Sequence, residues 1–206
     1  MVEVLILYYS RSGRTRALAH WIAEGAESVQ GASAKLRRGD YATVNDFIYC
    51  DAVAFGSPNY FGYMAGIMQD FFDKALSIRE KVAGKLSLAF TSGGGASESA
   101  LLSLESMISS FRMEKVIDGL VSQGEPSEEN RKAYKKLGET LARRALEKTE
   151  LPKGRSQART KAENMHTDDS RKRLTCYGDR FSVESRRMYL QGQRALRIPS
   201  NSGVLI

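Results

Sequence analysis

Cysteine is scarce in this 206-residue chain, which contains only Cys50 and Cys176. Two isolated cysteines exclude a disulfide framework and a Cys-x-x-Cys cluster that could hold zinc or iron-sulfur, and they indicate a reducing compartment. No apolar run approaches the roughly 18 residues of a membrane span. The apolar run Val4–Tyr9 is too short for a signal peptide. We therefore expect a cytoplasmic protein with no membrane span and no metal site.

An excess of positive charge is absent from most of the chain, although the net charge is +7. Residues 1–150 contain 19 Lys and Arg against 19 Asp and Glu, whereas residues 151–206 contain 12 against 5. Leu, Ile, Val and Phe make up only 10 of the 56 residues in the second segment, a fraction typical of disordered chains. We predict a folded domain over 1–150 and a basic, largely disordered tail over 151–206. A weak nucleic-acid or anionic-surface arm is the functional alternative for the tail, whose basic residues are scattered.

Strand and helix patterns alternate along residues 1–150. Continuous apolar runs at Val4–Tyr9, Ala52–Phe55 and Lys85–Thr91 are typical of strands buried on both faces. Further strands are predicted at Ser33–Arg37 and Glu114–Val121. Helical segments separate the strands, and each parallel crossover needs such a helix. The pattern predicts a doubly wound α/β domain with a five-stranded parallel sheet covered on both faces.

Apolar residues at helical spacing mark the main helices. A heavily buried helix is predicted from Met64 to Leu76, where apolar residues recur at i, i+3, i+4, i+7 and i+8. A final helix is predicted to begin near Pro126 and Ser127 and to run to about Lys148, because Pro and Ser are common at helix starts.

The loop after the first strand has the composition of an anion site. Ser10 to Thr15 lie between a buried strand and a helix start, where backbone N–H groups, hydroxyls and the helix dipole can neutralise a phosphate without a lysine. Gly13 permits close approach of the backbone. The spacings of a nucleoside-triphosphate loop and of a dinucleotide fingerprint are both absent at this position. An ordinary capped turn is the alternative interpretation.

Two more glycine-containing loops follow later strands. Tyr60 and Phe61 offer aromatic surface to a planar ring, and the backbone from Ser57 to Gly62 offers polar groups for its edge. The run Gly93–Gly95 can bring bare N–H groups against a site of developing negative charge. Core packing and flexible turns are the alternatives. Open parallel α/β sheets bind ligands beyond the carboxyl ends of their strands. We therefore expect the three loops to converge at that edge of the sheet.

These loops carry a family resemblance. Tyr9–Thr15 resembles the phosphate loop of flavodoxins and related flavoproteins, and Gly56–Met64 is similar to the flavin-contacting loop of NAD(P)H:quinone oxidoreductases of the tryptophan-repressor-binding-protein type. Thr91–Gly95 stands where that family keeps its third flavin loop. The resemblance covers about residues 2–148. It implies a flavodoxin-like three-layer αβα fold with strand order 2-1-3-4-5, and bound flavin mononucleotide (FMN).

The resemblance assigns FMN binding to residues of all three loops. They are Ser10, Arg11, Ser12, Gly13, Arg14, Thr15, Ser57, Pro58, Asn59, Tyr60, Phe61, Gly62, Thr91, Ser92, Gly93, Gly94 and Gly95. No residue is assigned a catalytic role, because the flavin carries the chemistry.

The resemblance implies an FMN-dependent oxidoreductase that takes electrons from NAD(P)H and passes them to a quinone or another small-molecule or protein acceptor. The segment Ser122–Pro126 is shorter than its counterpart in the quinone reductases, which leaves open the quinone specificity and a homo-oligomer. A flavodoxin-type electron carrier that docks on protein partners is the second interpretation. A flavin-free binding module with a nucleic-acid-binding tail is the third.

A few other polar residues invite interpretation. His20 is predicted to be a surface residue, and Cys50 a small buried one. Lys35, Arg37 and Arg38 form a basic cluster after the second strand, which suits either a cofactor phosphate or solvent.

Overall fold

The structure is a computed structural model that describes residues 1–95 and 97–150. The disorder predicted for 151–206 lies outside the described residues, and the domain boundary at residue 150 stays a prediction. The strands are β1 (Val2–Tyr8), β2 (Ala32–Arg38), β3 (Ala52–Pro58), β4 (Leu86–Gly93), β5 (Glu114–Lys115) and β6 (Leu120–Gln123). The helices are α1 (Arg14–Glu27), α2 (Val44–Tyr49), α3 (Gly66–Ala75), α4 (Arg79–Val82), α5 (Ser97–Ser110) and α6 (Glu128–Glu150), with a 3-10 turn at Leu76–Ile78.

All strands belong to one sheet with the order β2-β1-β3-β4, and β5 and β6 both pair with β4. Every pairing between these strands is parallel. The predicted order 2-1-3-4-5 is therefore confirmed, with the fifth strand in two pieces.

Alternate residues of β1 enter two separate hydrophobic cores. Val4 and Ile6 pack with residues of α1 and α6, whereas Leu5 and Leu7 pack with residues of α2, α3, α4 and α5. All four side chains are completely buried. A strand covered on both faces has no polar side, which explains the continuous apolar run in the sequence. The two cores confirm the predicted three-layer αβα architecture.

The fifth strand, predicted as one element over Glu114–Val121, is interrupted. β5 pairs with the beginning of β4 and β6 pairs with its end, so residues 116–119 leave the regular ladder. Gly119 approaches β4 so closely that a Cβ atom there would lie 2.6 Å from the carbonyl oxygen of Ala89. Both the interruption and this close approach involve a partner strand that is distant in the sequence, so the local apolar pattern cannot indicate them.

The helix predicted from Met64 begins two residues later. Met64 and Ala65 are buried but extended, and α3 starts at Gly66. At the other end Leu76 is 59% exposed, although it fits the apolar spacing, because α3 ends at Ala75 and the chain turns into the 3-10 segment. The local pattern thus predicted the helix correctly and its ends only approximately.

Helices α1 and α6 pack with almost no space between their backbones. A Cβ atom on Gly25 would lie 1.9 Å from the carbonyl oxygen of Lys135, and one on Gly138 would lie 1.9 Å from that of Ile22. Only glycine permits this approach at both positions. The crossing fixes the two helices relative to each other, together with the loops that precede them.

Strand β2 forms one edge of the sheet, and its basic residues are paired within the protein. Lys35 Nζ lies 2.8 Å and Arg37 Nε 3.4 Å from Asp46 Oδ1. Burial alone would raise the pKa of Asp46, but hydrogen bonds from Lys35 and Thr43 outweigh it and hold this pKa well below its usual value. Asp46 and Thr43 also form the capping box of α2. These ion pairs favour a structural role for Lys35 and Arg37.

His20 is exposed and Cys50 is 2% exposed, as predicted for both. Burial raises the pKa of the Cys50 thiol to about 12, because the thiolate would lose its hydration. Within the described part of the chain, no helix has the length and apolar character needed to cross a bilayer.

Candidate functional site

The carboxyl ends of four strands lie side by side at one edge of the sheet. Tyr8 pairs with Gly56, Pro58 with Ser92, and Gly93 with the end of β6. The loops that follow β1, β3, β4 and β6 therefore share this edge. The predicted convergence of the three glycine-containing loops is present in the structure. β3 and β4 extend into the predicted loops because Pro58 and Ser92 continue the ladder.

The first loop connects β1 to the first turn of α1. Ser10 is buried and its Oγ accepts a hydrogen bond from the Gly13 N–H at 3.1 Å, while Arg11 and Ser12 are exposed. Gly13 has a φ of 95°, a left-handed conformation that glycine adopts at little cost. No side chain caps α1. The N–H groups of its first turn have no intrahelical acceptors and are available to an anion.

Thr15 lies inside the protein and not on the surface of this loop. Thr15 is 1% exposed and Ser92 is 3% exposed, and their hydroxyls lie 2.7 Å apart. The hydroxyl of Thr15 therefore joins the first loop to the third. Its backbone N–H remains in the first turn of α1.

The second loop ends in a tight turn that presents an aromatic ring to solvent. Tyr60 and Tyr63 exchange two backbone hydrogen bonds, at 2.9 and 3.0 Å, across the turn. Phe61 and Gly62 between them have φ values of 55° and 81°. A bulky residue is rare in this left-handed region and costs about 1–2 kcal/mol there. Phe61 is also fully exposed. Strained, exposed aromatic residues of this kind are typical of binding loops.

The base of the second loop is held by polar side chains. Ser57 Oγ is buried, accepts from the Ala65 N–H at 2.8 Å and donates to the Pro58 carbonyl. Asn59 Oδ1 accepts from the Gly62 N–H at 2.8 Å, and Asn59 Nδ2 donates to a carbonyl of the third loop at 2.9 Å. These bonds leave the backbone of the turn in one fixed orientation.

The third loop is built from glycine and packs directly on the second. A Cβ atom on Gly93 would lie 2.8 Å from Asn59 Cβ and 2.7 Å from Ser97 Oγ. Gly94 and Gly95 are exposed, and a Cβ atom on either would meet no atom within 4 Å. The first of the three glycines is thus required by packing, whereas the other two present bare backbone at the edge of the site.

A fourth loop, at residues 124–127, also reaches this edge. Arg14 donates to Glu125 Oε1 from Nε at 2.8 Å and from a terminal nitrogen. This hydrogen bond raises the pKa of the Arg14 guanidinium. Local sequence patterns do not indicate that Glu125 is a neighbour of the first loop, because 111 positions separate it from Arg14. The parallel sheet places the loops after β1 and β6 at the same edge, although β3 and β4 lie between these two strands.

The structure therefore brings all three predicted loops together but divides their side chains into two groups. One group is buried, with hydroxyls bonded within the protein, and contains Thr15, Ser57, Thr91 and Ser92. The exposed or half-exposed group contains Arg11, Ser12, Gly13, Arg14, Pro58, Asn59, Tyr60, Phe61, Gly62, Gly93, Gly94 and Gly95. Ser10, at 8% exposed and with its Oγ accepting from the Gly13 N–H, belongs to the buried group as well.

Arg38, the third member of the basic cluster, lies nearer to this edge than Lys35. Its guanidinium carbon is 5.3 Å from the ring centre of Tyr9, at the beginning of the first loop. Its Nε is also 2.9 Å from Asp40 Oδ1. This stacking and ion pairing hold the side chain of Arg38 against the protein.

The described fold and loops match known proteins. A family model described as flavodoxin domain matches residues 5–117. A flavodoxin of Aquifex aeolicus (strain VF5) is 36% identical over an alignment of 159 positions, and the alignment covers 69% of this chain and 86% of that relative.

Two solved structures share the fold at lower identity. A flavodoxin from the domain Archaea has a TM-score of 0.65 and 24% identity, covering 70% of this chain and 99% of that one. A flavodoxin, WrbA-like protein from Agrobacterium tumefaciens has a TM-score of 0.63 and 21% identity, covering 71% and 99%. The family match spans more than half of the chain and the curated relative is matched over most of its length. The chain therefore belongs to the flavodoxin family of FMN-binding electron-transfer proteins.

Proposed function

We propose that this protein binds FMN between the four strand-end loops and passes electrons from NAD(P)H to a quinone or another acceptor. The observation that carries the proposal is the connection of the loops through Ser92. Its hydroxyl bonds to Thr15 of the first loop, and its carbonyl accepts from the Asn59 N–H of the second at 2.8 Å. Its strand neighbour on the other side is Ser122 of β6. Because Ser92 connects these loops, a site between them would be largely formed before a ligand binds.

The first loop fits the phosphate of FMN. The N–H groups at the start of α1 lack acceptors within the helix, and the first turn carries no acidic residue. The positive end of the helix dipole therefore stabilises a dianion there. The exposed Ser12 hydroxyl and the Arg11 side chain lie on the same short loop and supply further donors.

The second and third loops fit a planar ring, and they do so unequally. Tyr60, Phe61 and Tyr63 supply aromatic surface on the second loop. Gly93, Gly94 and Gly95 supply none on the third. We infer that the second loop covers part of the ring, whereas the glycine loop approaches its edge and leaves room for a second planar molecule. This asymmetry favours a reductase, whose donor and acceptor need access to the same face.

FMN, when bound, supplies the redox chemistry by taking a hydride from NAD(P)H and giving two electrons to the acceptor. The chain itself would position the flavin and supply the hydrogen-bond donors that stabilise its charge. The exposed backbone N–H groups of Gly94 and Gly95 would serve as hydrogen-bond donors to the ring and would stabilise negative charge on it. Asn59 holds the Phe61–Gly62 turn against the third loop and so fixes the distance between them. Acid–base catalysis by a side chain is not required.

An electron carrier without a small-molecule substrate is the second candidate. The 36% identity with the flavodoxin of Aquifex aeolicus favours it. A carrier would use the exposed Phe61 and its surroundings to dock on a protein partner. Residues 1–150, with equal numbers of acidic and basic residues, lack the net negative charge typical of flavodoxins. That balance favours the reductase.

Two measurements test the proposal on the full-length chain. FMN fluorescence should be quenched on titration with micromolar apoprotein, and unquenched fluorescence would refute FMN binding. NAD(P)H oxidation with a quinone or ferricyanide should then show sustained turnover and parallel double-reciprocal plots, because both substrates use one face in turn. Negligible turnover by FMN-loaded protein would instead identify a carrier.

A further inference from the structure

The ion pair between Arg14 and Glu125 connects the phosphate side of the site to the loop after β6. Arg14 is the first residue of α1 and follows Gly13 directly. Two of its nitrogens donate to the same carboxylate oxygen of Glu125. The guanidinium beside the first loop is therefore directed to a carboxylate on the fourth loop.

The carboxylate of Glu125 belongs to a short loop that is anchored at both ends. Ser122 is buried at the end of β6, and its Oγ lies 3.3 Å from Asn130 Oδ1. At the other end the Ser127 N–H donates to Asn130 Oδ1 at 3.1 Å, and Ser127 Oγ accepts from the Asn130 N–H at 3.3 Å. Only the residues between these anchors are free to adjust, so Glu125 stays within reach of Arg14.

The packing of α1 on α6 maintains this arrangement. The close crossing at Gly25 and Gly138 fixes the two helices, and Glu24 of α1 pairs with Arg131 of α6 at 3.3 Å. Neither helix can move away to separate Arg14 from Glu125 without disrupting these contacts. A competing acceptor for Arg14 must therefore displace the Glu125 side chain itself.

A phosphate at the start of α1 would be such an acceptor. Phosphate carries more negative charge than a carboxylate and binds guanidinium groups at least as well. The first turn of α1 has no acidic residue of its own, and within the described part of the chain the carboxylate paired with Arg14 is that of Glu125. The two anions would compete for one cation at a site partly exposed to solvent, and Arg14 could bind the phosphate only by giving up its ion pair with Glu125.

We propose that Glu125 competes with the FMN phosphate for Arg14, and so limits the affinity for FMN without affecting the ring. The proposal rests on FMN binding at the proposed site. Glu125 is then a residue that influences the specificity for FMN over riboflavin, and it does so through Arg14. Riboflavin, which has the ring and ribityl chain but no phosphate, provides a ligand on which this competition has no effect.

The test measures FMN and riboflavin affinities by fluorescence quenching at low salt, on the full-length apoprotein. Glu125→Gln should bind FMN about three- to tenfold more tightly than the wild type and riboflavin equally well. The gain should shrink to less than twofold in 0.5 M salt. In an Arg14→Gln background, Glu125→Gln should change the FMN affinity less than twofold.

Glu129→Gln is the matched control, because Glu129 is exposed and shows no ion pair within residues 1–95 and 97–150. It should leave the affinity for both flavins unchanged. An unchanged FMN affinity in Glu125→Gln, or an equal gain for riboflavin, would overturn the competition while wild-type FMN binding upholds the proposed function. A wild type that binds neither flavin would overturn both proposals.

Discussion

The hydroxyls of Thr15 and Ser92 lie 2.7 Å apart inside the protein, although 77 positions separate the residues in the chain. One belongs to the first turn of α1 and the other to the end of β4. Their hydrogen bond sets the spacing between the proposed phosphate loop and the glycine loop. Both side chains are almost completely buried, so water cannot replace either partner.

Replacing one partner of this hydrogen bond should destabilise the fold and weaken FMN binding together. Thr15→Val leaves the Ser92 hydroxyl buried without its partner, and we expect a loss of about 1–3 kcal/mol in the free energy of unfolding. Urea denaturation measures it. The double variant Thr15→Val, Ser92→Ala should lose less than the sum of the single variants, because neither hydroxyl is then left unpaired.

Thr140→Val serves as the control for this prediction. Its hydroxyl donates to the Lys136 carbonyl within α6 at 2.8 Å, and it has no other hydrogen bond to the residues that the structure describes. The same chemical change there should alter stability by less than about 0.5 kcal/mol and leave FMN affinity unchanged. Equal losses at both positions would show that the Thr15–Ser92 bond has no special role.

The left-handed conformation of Phe61 should produce opposite effects on stability and binding. Phe61→Gly relieves a cost of about 1–2 kcal/mol but adds freedom to the unfolded chain, so we expect a net gain of about 0.5–1 kcal/mol. The same change removes aromatic surface and should lower FMN affinity about tenfold. Arg112 also has a left-handed φ of 54° and lies outside the site. Arg112→Gly should stabilise the protein similarly without affecting FMN, and a loss of affinity there would contradict this account.

Helical periodicity and buried apolar runs predicted the main helices and strands, because they are properties of one segment at a time. The β1 run and the glycine-containing loops behind three strands indicated the edge of the sheet where the site lies. The bonds that join those loops could not be predicted. Thr15 pairs with Ser92 and Arg14 with Glu125 only because the strand order brings distant segments together.

The glycines between α1 and α6 should tolerate no side chain. Gly25→Ala would place a methyl group 1.9 Å from the Lys135 carbonyl oxygen, and separating the helices should cost about 3 kcal/mol. Gly66→Ala is a matched change at the start of α3, where a Cβ atom would meet nothing within 4 Å. It should be neutral or slightly stabilising. Thermal unfolding distinguishes the two, and a Gly25→Ala protein as stable as the wild type would refute the close crossing.

Cys50 should make stability decrease at alkaline pH. Burial raises the pKa of its thiol from 9.0 to about 12, so the folded state favours the protonated form. The resulting stabilisation is fully present below pH 9 and is lost as the pH rises towards 12. In a Cys176→Ser background, the stability difference between the parent and Cys50→Ala should fall by about 2 kcal/mol from pH 8 to pH 11. A difference independent of pH would contradict this expectation.

The boundaries of elements were predicted less well than their existence, and the reasons differ. β3 runs on through Pro58 because its ladder with β4 continues to Ser92, and β4 runs on through Gly93 because this residue pairs with Gln123 of β6. The fifth strand is interrupted just before Leu120, next to Gly119, which approaches β4 closely. Each of these differences in strand boundaries depends on pairing with a neighbouring strand. The apolar pattern of a single segment carries no information about that pairing.

The interruption of the last strand also affects whether this edge of the sheet can pair with a strand of another chain. β5 has two residues and β6 has four, so this side of the sheet presents no long row of unpaired backbone groups. The opposite side, β2, carries Lys35, Arg37 and Arg38. Short strands and positively charged side chains are both obstacles to strand addition between copies. The sheet is thus protected against edge-to-edge aggregation at both margins by different means.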